Sequence, residues 1–180
     1  MKKRQQHTLS RNTVFETKWF SIDAVSYESP DKEPYYRLSC DDSVSVIAKT
    51  IENKIILIRQ YRPAIEAYTL ELPSGYMNEG EIPEEAMKRE LTEETGYICG
   101  SLLSMGSWKI CPSRVNNTVH IFFGNNAALV QEKAIEDKDV ELVLVTMEEF
   151  KELILEGKYI EAAGIAMFFL AQEKGYLSSV

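Results

Sequence analysis

Apolar and polar residues alternate through 43–50 (SVSVIAKT), and after Glu52-Asn53 the run 54–62 (KIILIRQYR) supplies a partner, so the pattern predicts a β-hairpin there. Residues 19–27 mix aromatic and β-branched side chains and predict a strand. Ser29-Pro30-Asp31-Lys32 reads as a turn, and 35–39 as the returning strand. Residues 1–14 are polar and read as frayed. A short strand over 68–72 closes at Pro73. Pro83, with Glu84 and Glu85 behind it, suits a helix start, and Gly96 suits its end. Strands are expected over 98–105, 119–123 and 140–145, with a polar, acid-rich connection at 125–139. Thr146 to Glu149 forms a capping box for a helix ending near Gly157. A last helix over 161–174 would bury Ala162, Ile165, Phe168 and Phe169. Strands with three helices, in no regular βαβ order, predict an α+β fold built as an α/β/α sandwich. The hairpin of 15–40 is an appendage, so the expected division is an extension over 1–40 and a main domain over 41–180.

Composition narrows the picture. A chain of 180 residues and 20.6 kDa suits one domain with a small addition. No apolar run approaches the roughly 18 residues of a membrane span. The basic start MKKRQQH is followed by polar residues rather than a signal-peptide core, so a cytoplasmic protein is expected. With 28 acidic against 20 basic residues the net charge is −8. That opposes binding to nucleic acid or an anionic membrane, and neither is expected as a partner. An anionic substrate would need metal ions or local Arg and Lys. The three cysteines form no CxxC pair and read as free thiols.

The chemistry gathers between Gly75 and Tyr97. Glu90, Glu93 and Glu94 stand at helical spacings that bring them close to one face, where like charges repel. Arg89, four before Glu93, can pair with it, leaving Glu90 and Glu94 to hold a hard divalent cation such as Mg²⁺, or Mn²⁺. An acidic run on a helix is usually only a solvated face. Here the whole spacing decides: Gly75, Glu81, Arg89-Glu90-Leu91, Glu93-Glu94 and Gly96 reproduce the Nudix box, a chance match on the order of 10⁻⁸ from average residue usage. Tyr97 stands where the pattern has an aliphatic residue. The chain thus resembles the Nudix hydrolases. The resemblance implies cleavage of a nucleoside diphosphate linked to another group. It implies that Glu90 and Glu94 ligate metal, with Glu93 supporting or ligating and the carbonyl of Ser74 completing the set. Arg89 would orient the acids, Glu81 would stabilise the loop, and Gly75 would allow a tight approach.

The flanks, QYRP at 60–63 and ELPSG at 71–75, resemble the ADP-ribose pyrophosphatase branch. That likeness implies ADP-ribose or a related nucleotide sugar as substrate, with Arg62 contacting it. A guanidinium suits a diphosphate. Read from the residues alone, Arg62 could instead pair with Glu66 or Glu71. Pro112, fifteen residues beyond the box, is a marker of ADP-ribose hydrolysis in the family. Arg114 and Asn116-Asn117 replace the branch's usual acidic pair, which leaves other nucleotide sugars open. His120 reads as structural. Alignment of 135–140 with the branch's catalytic loop points to Glu136 as the general base. Trp19, Tyr35 and Tyr36 are candidates to stack on the base. A two-stranded hairpin is marginal alone, and the branch packs it on a partner, so a homodimer is expected. The alternatives are another Nudix substrate (a dinucleotide polyphosphate, NADH or a modified nucleoside triphosphate) or a module that senses ADP-ribose without cleaving it.

Overall fold

The structure is a computed structural model that describes residues 7–28, 33–131 and 140–177. The chain divides into two compact units, one comprising residues up to Asp42 with Lys109–Thr118, the other Ser43–Trp108 with residues from Val119 onward. The first thus takes up a later segment as well as the expected N-terminal extension.

Unit 1 is built on an antiparallel sheet, β1 (Thr8–Glu16), β2 (Ser21–Tyr27) and β3 (Tyr35–Ser39), in that order. The expected hairpin is β2–β3. The reading of 1–14 as frayed fails from Thr8 onward, where β1 pairs along β2 although every one of its residues is exposed. Cross-strand backbone bonding, not burial, holds it. The segment 109–118 is tied to β3 by Leu38 N–H to Arg114 O (2.8 Å) and Asn116 N–H to Leu38 O (3.2 Å).

Unit 2 centres on a mixed sheet in the order β11-β5-β4-β10-β8: β4 (Ser43–Thr50), β5 (Ile55–Arg62), β8 (Tyr97–Ile98), β10 (Val119–Leu129) and β11 (Val140–Val145). β6 (Ala67–Glu71) pairs with β5, β7 (Ser74–Tyr76) with β4, and β9 (Ser101–Trp108) with β10. Only β4 and β10 run parallel among these pairs. The β4–β5 turn is closed by Thr50 N–H to Lys54 O at 2.8 Å, with Asn53 at φ 60°, a conformation Asn tolerates. Alternation along β4 and β5 sends side chains to opposite faces. Val44, Val46, Ala48 and Ile56 pack with Ala86, Met87 and Leu91 of helix α1 (Pro83–Thr95). Ile47, Ile55 and Leu57 pack with Phe150 of α2 (Met147–Leu155) and with Met167 and Phe168 of α3 (Ala162–Glu173). The predicted α/β/α sandwich is therefore present, and both halves of the Thr146 capping box are made.

Three readings of the pattern need correction. The strand expected over 98–105 is two, β8 and β9, broken at Cys99–Gly100. The polar stretch opening at 125 begins inside β10, which continues past a register shift between Gly124 and Ala127, with Asn126 at φ 52°. The buried stripe of α3 is Gly164, Met167, Phe168 and Ala171. Of the four residues expected there only Phe168 is buried, and Phe169 is 62% exposed.

Candidate active site

Helix α1 carries the acids on a rigid support. Pro83 occupies its first turn, Glu84 and Glu85 face the positive end of the helix dipole, and Gly96 caps the far end at φ 77° with its N–H on Thr92 O. Ala86, Met87, Leu91 and Thr95 are buried on one side. That anchorage leaves Arg89, Glu90, Glu93 and Glu94 on the remaining surface.

Arg89 organises them. It donates to both carboxylate oxygens of Glu81 at 2.9 Å, to Glu90 at 2.7 Å, to Glu93 at 3.3 Å and to the carbonyl of Tyr76 at 3.0 Å. The expected pairing with Glu93 is there, but it is the longest of these bonds, and Glu90 is not left free. Glu81 also accepts from Asn78 N–H at 2.9 Å. The hydrogen bond from Arg89, then that from Asn78, hold its carboxyl at about 2. So Glu81 both closes the loop and anchors the guanidinium. Glu90 differs: burial raises its pKa, and Arg89 only partly opposes this. Its carboxylate sits so close under β7 that a Cβ on Gly75 would run into it, which explains the glycine at that box position. Glu94 accepts the backbone N–H of Ser74 at 3.1 Å. Among the described residues no three His, Cys, Asp or Glu side chains are gathered closely enough to hold a metal ion. Arg89 draws Glu90 and Glu93, while Glu94 turns to Ser74.

A second cluster adjoins the first. Arg62, at the end of β5, makes a two-pronged pair with Glu71, one prong Nε to Oε1 at 2.7 Å. Of the two open partners, Glu71 is the one taken. Burial pushes Glu71 up, but its bonds from Arg62 and Thr69 outweigh this and hold it below its ordinary range. Glu94 and Glu161 add to the negative field on Arg62. The strand thus places its cation on Glu71 and within the field of Glu94. Tyr159, 1% exposed, donates to Glu161 at 2.8 Å. Burial raises both groups above their ordinary values. A Cβ on Gly164 would collide with the Tyr159 ring, so α3 packs closely on it. Glu161 was missed in the sequence. The box spacing does not reach it, and only the contact with Tyr159 and the field on Arg62 reveal it.

In unit 1, Trp19 (63% exposed) lies in the turn before β2 with Lys18 Nζ 4.4 Å from its ring centroid, and Tyr36 is 54% exposed. Pro112 lines a cavity in the same unit. In unit 2, His120 Nδ1 bonds with Ser107 Oγ at 2.9 Å, in keeping with a structural part. Glu136 lies outside the described residues.

A family model for the NUDIX domain matches residues 41–164. The chain belongs to the Nudix family. Among Nudix relatives, the ADP-ribose pyrophosphatase of Bacillus subtilis (strain 168) is 31% identical over 158 residues, 86% of this chain and 85% of its own. The methanol dehydrogenase activator of Bacillus methanolicus is 28% identical over 162 residues, 88% of each. A crystal structure of an ADP compounds hydrolase superposes with a TM-score of 0.80 over 96% of each chain, at 22% identity, and so shares the fold. No helix among the described residues is long and apolar enough to cross a membrane.

Proposed function

We propose that this Nudix protein hydrolyses the diphosphate linkage of ADP-ribose or a related nucleoside diphosphate sugar, giving a nucleoside monophosphate and a sugar phosphate. The observation that carries the reading is Arg62 held by Glu71 at the end of β5, within the field of Glu94 on α1. A diphosphate needs cations, and a guanidinium locked by Glu71 offers a preformed fork for it. The Bacillus subtilis relative, named for ADP-ribose cleavage, supports the same substrate class.

The donors suit a divalent cation, Mg²⁺ in our reading, by their chemistry, although among the described residues they are not gathered around one point. Its ligands would be Glu90, Glu94 and the Ser74 carbonyl, with Glu93 beside them, all oxygen as a hard ion requires. Gly75, lacking a side chain, makes room for the Glu90 carboxylate beside the loop. When bound, such an ion lowers the pKa of a water and offsets charge on phosphorus. The chain's residues do the rest. Arg89 and Glu81 hold the acids in register, and Arg62 orients the diphosphate. Glu136 is proposed to take the proton of the attacking water, from its place in the sequence. Trp19 and Tyr36, exposed aromatics, are proposed to stack on the base, and exposed Leu9, Phe15 and Trp19 support a homodimer formed through unit 1.

Incubation with ADP-ribose, GDP-mannose and ADP-glucose in Mg²⁺, with product analysis, tests the reading. ADP-ribose should yield AMP and ribose 5-phosphate. Failure to cleave any of the three would overturn it. Glu136→Gln should lower kcat by roughly 10²–10⁴ with little change in KM; unchanged kcat removes Glu136 from the mechanism.

A further inference from the structure

At the N-cap of a helix a short polar side chain ordinarily bonds the free N–H groups of the first turn. Glu161 holds that place on α3 and makes no such bond. Its carboxylate turns away and accepts the Tyr159 hydroxyl at 2.8 Å. The Leu72 backbone N–H lies within reach of both groups. Leu72 follows Glu71, whose carboxylate grips Arg62 with both oxygens. Tyr159 and Glu161 thus join the start of α3 to the segment that anchors Arg62.

The joint is stiff. The Tyr159 ring is buried, meets Phe150 edge-on with centroids 4.9 Å apart, and lies where a Cβ on Gly164 would run into its hydroxyl. A hydroxyl so confined fixes the carboxylate bonded to it. Burial disfavours charge at Glu161, and Glu71 nearby adds to this. A merely structural joint would be served by an uncharged amide, whose oxygen accepts from Tyr159 equally well. The charge has its counterpart in Arg62, which lies in the fields of Glu71, Glu94 and Glu161. Glu71 occupies one edge of that guanidinium, through Nε and one terminal nitrogen. The remaining donors are left for another acceptor. A single fork still lets the guanidinium rock about the line of its two acceptors, and a second, rigidly held negative charge restrains that motion.

We propose that Glu161 is a positioning residue that acts through Arg62: fixed by Tyr159, it keeps the free donors of the guanidinium turned toward the diphosphate. The role rests on the reading of Arg62 as the diphosphate contact. Steady-state kinetics with ADP-ribose and Mg²⁺ on wild type, Glu161→Gln, Arg62→Ala and the double variant test it. Glu161→Gln should raise KM about tenfold and leave kcat within about twofold, the scale of coupling within one hydrogen-bonded network. Tyr159→Phe, which keeps the ring and frees the carboxylate, should do the same. In the Arg62→Ala background Glu161→Gln should change nothing further, whereas damage to the fold alone would add in full. An unimpaired Arg62→Ala would overturn both the reading of Arg62 and this proposal. An impaired Arg62→Ala in which Glu161→Gln costs as much as in wild type would overturn the proposal alone. A second measurement needs no turnover. Nitrogen-15 relaxation of the Arg62 Nε–H should show greater mobility in folded Glu161→Gln than in wild type, and unchanged order would overturn the proposal even in an active hydrolase. Greater mobility in a protein that cleaves no nucleotide sugar would support the restraint and overturn the hydrolase reading.

Discussion

Arg89 serves Glu81, Glu90, Glu93 and the Tyr76 carbonyl at once. The box spacing made the acids and Arg89 legible in the sequence, because 3.6 residues per turn assigns them a face. Which acid the guanidinium prefers was not legible, since Glu81 reaches it from a loop whose path no periodicity describes. Two tests belong to these residues. Glu94→Gln keeps the shape but loses the charge, so turnover should be nearly abolished while the fold survives; a mutant retaining most of its kcat at saturating Mg²⁺ would refute the ligand assignment. Glu81 gives a pH signature. Its pKa is lowered in the folded chain from 4.5 to about 2, first through Arg89. Its contribution to stability is therefore complete above about pH 4.5 and is lost as pH falls toward 2. Melting curves of wild type and Glu81→Gln should differ most above pH 4.5 and converge near pH 2; a difference independent of pH would exclude this pairing as the cause.

The elements most legible in the sequence were those with both a period and a terminus. Helix α1 has Pro83 and Gly96, α2 has its capping box, and β4 and β5 flank a turn. Helix α3 shows why a period alone can mislead. Ile165, Met167, Phe168, Phe169 and Leu170 surround it with apolar side chains, so the sequence does not single out one face. Packing chooses Met167 and leaves Phe169 outside. Met167→Ala should cost about 2–5 kcal/mol, whereas Phe169→Ser should stay within about 0.5 kcal/mol. Denaturant unfolding checks both, and the reverse order would restore the face expected from the sequence. Strand β1 is hard to read for the opposite reason: fully exposed, it carries no burial pattern.

For the whole chain, the mixed character of the fold was legible, but the joining of 109–118 to the N-terminal sheet was not, because a backbone bridge such as Leu38 with Val115 leaves no side-chain signature. Exposed Leu9, Phe15 and Trp19 on that unit underlie the dimer proposal. Sedimentation should give a particle of about twice the 20.6 kDa chain mass, and a particle of one chain mass at working concentration would count against it. The parallel pairing of β4 with β10, Ser43 opposite Val119 through Thr50 opposite Ala127, has a different consequence. The ribosome delivers β4 well before its neighbour. Until β10 has emerged, Val44, Val46 and Ile47 belong to a strand with one open edge, and the closure that covers it joins distant parts of the chain. Such closures are slow, and open edges recruit other chains. The nascent polypeptide is therefore most vulnerable to aggregation in the interval between the synthesis of these two strands, when α1 and its acids are already made but the sheet that supports them is incomplete.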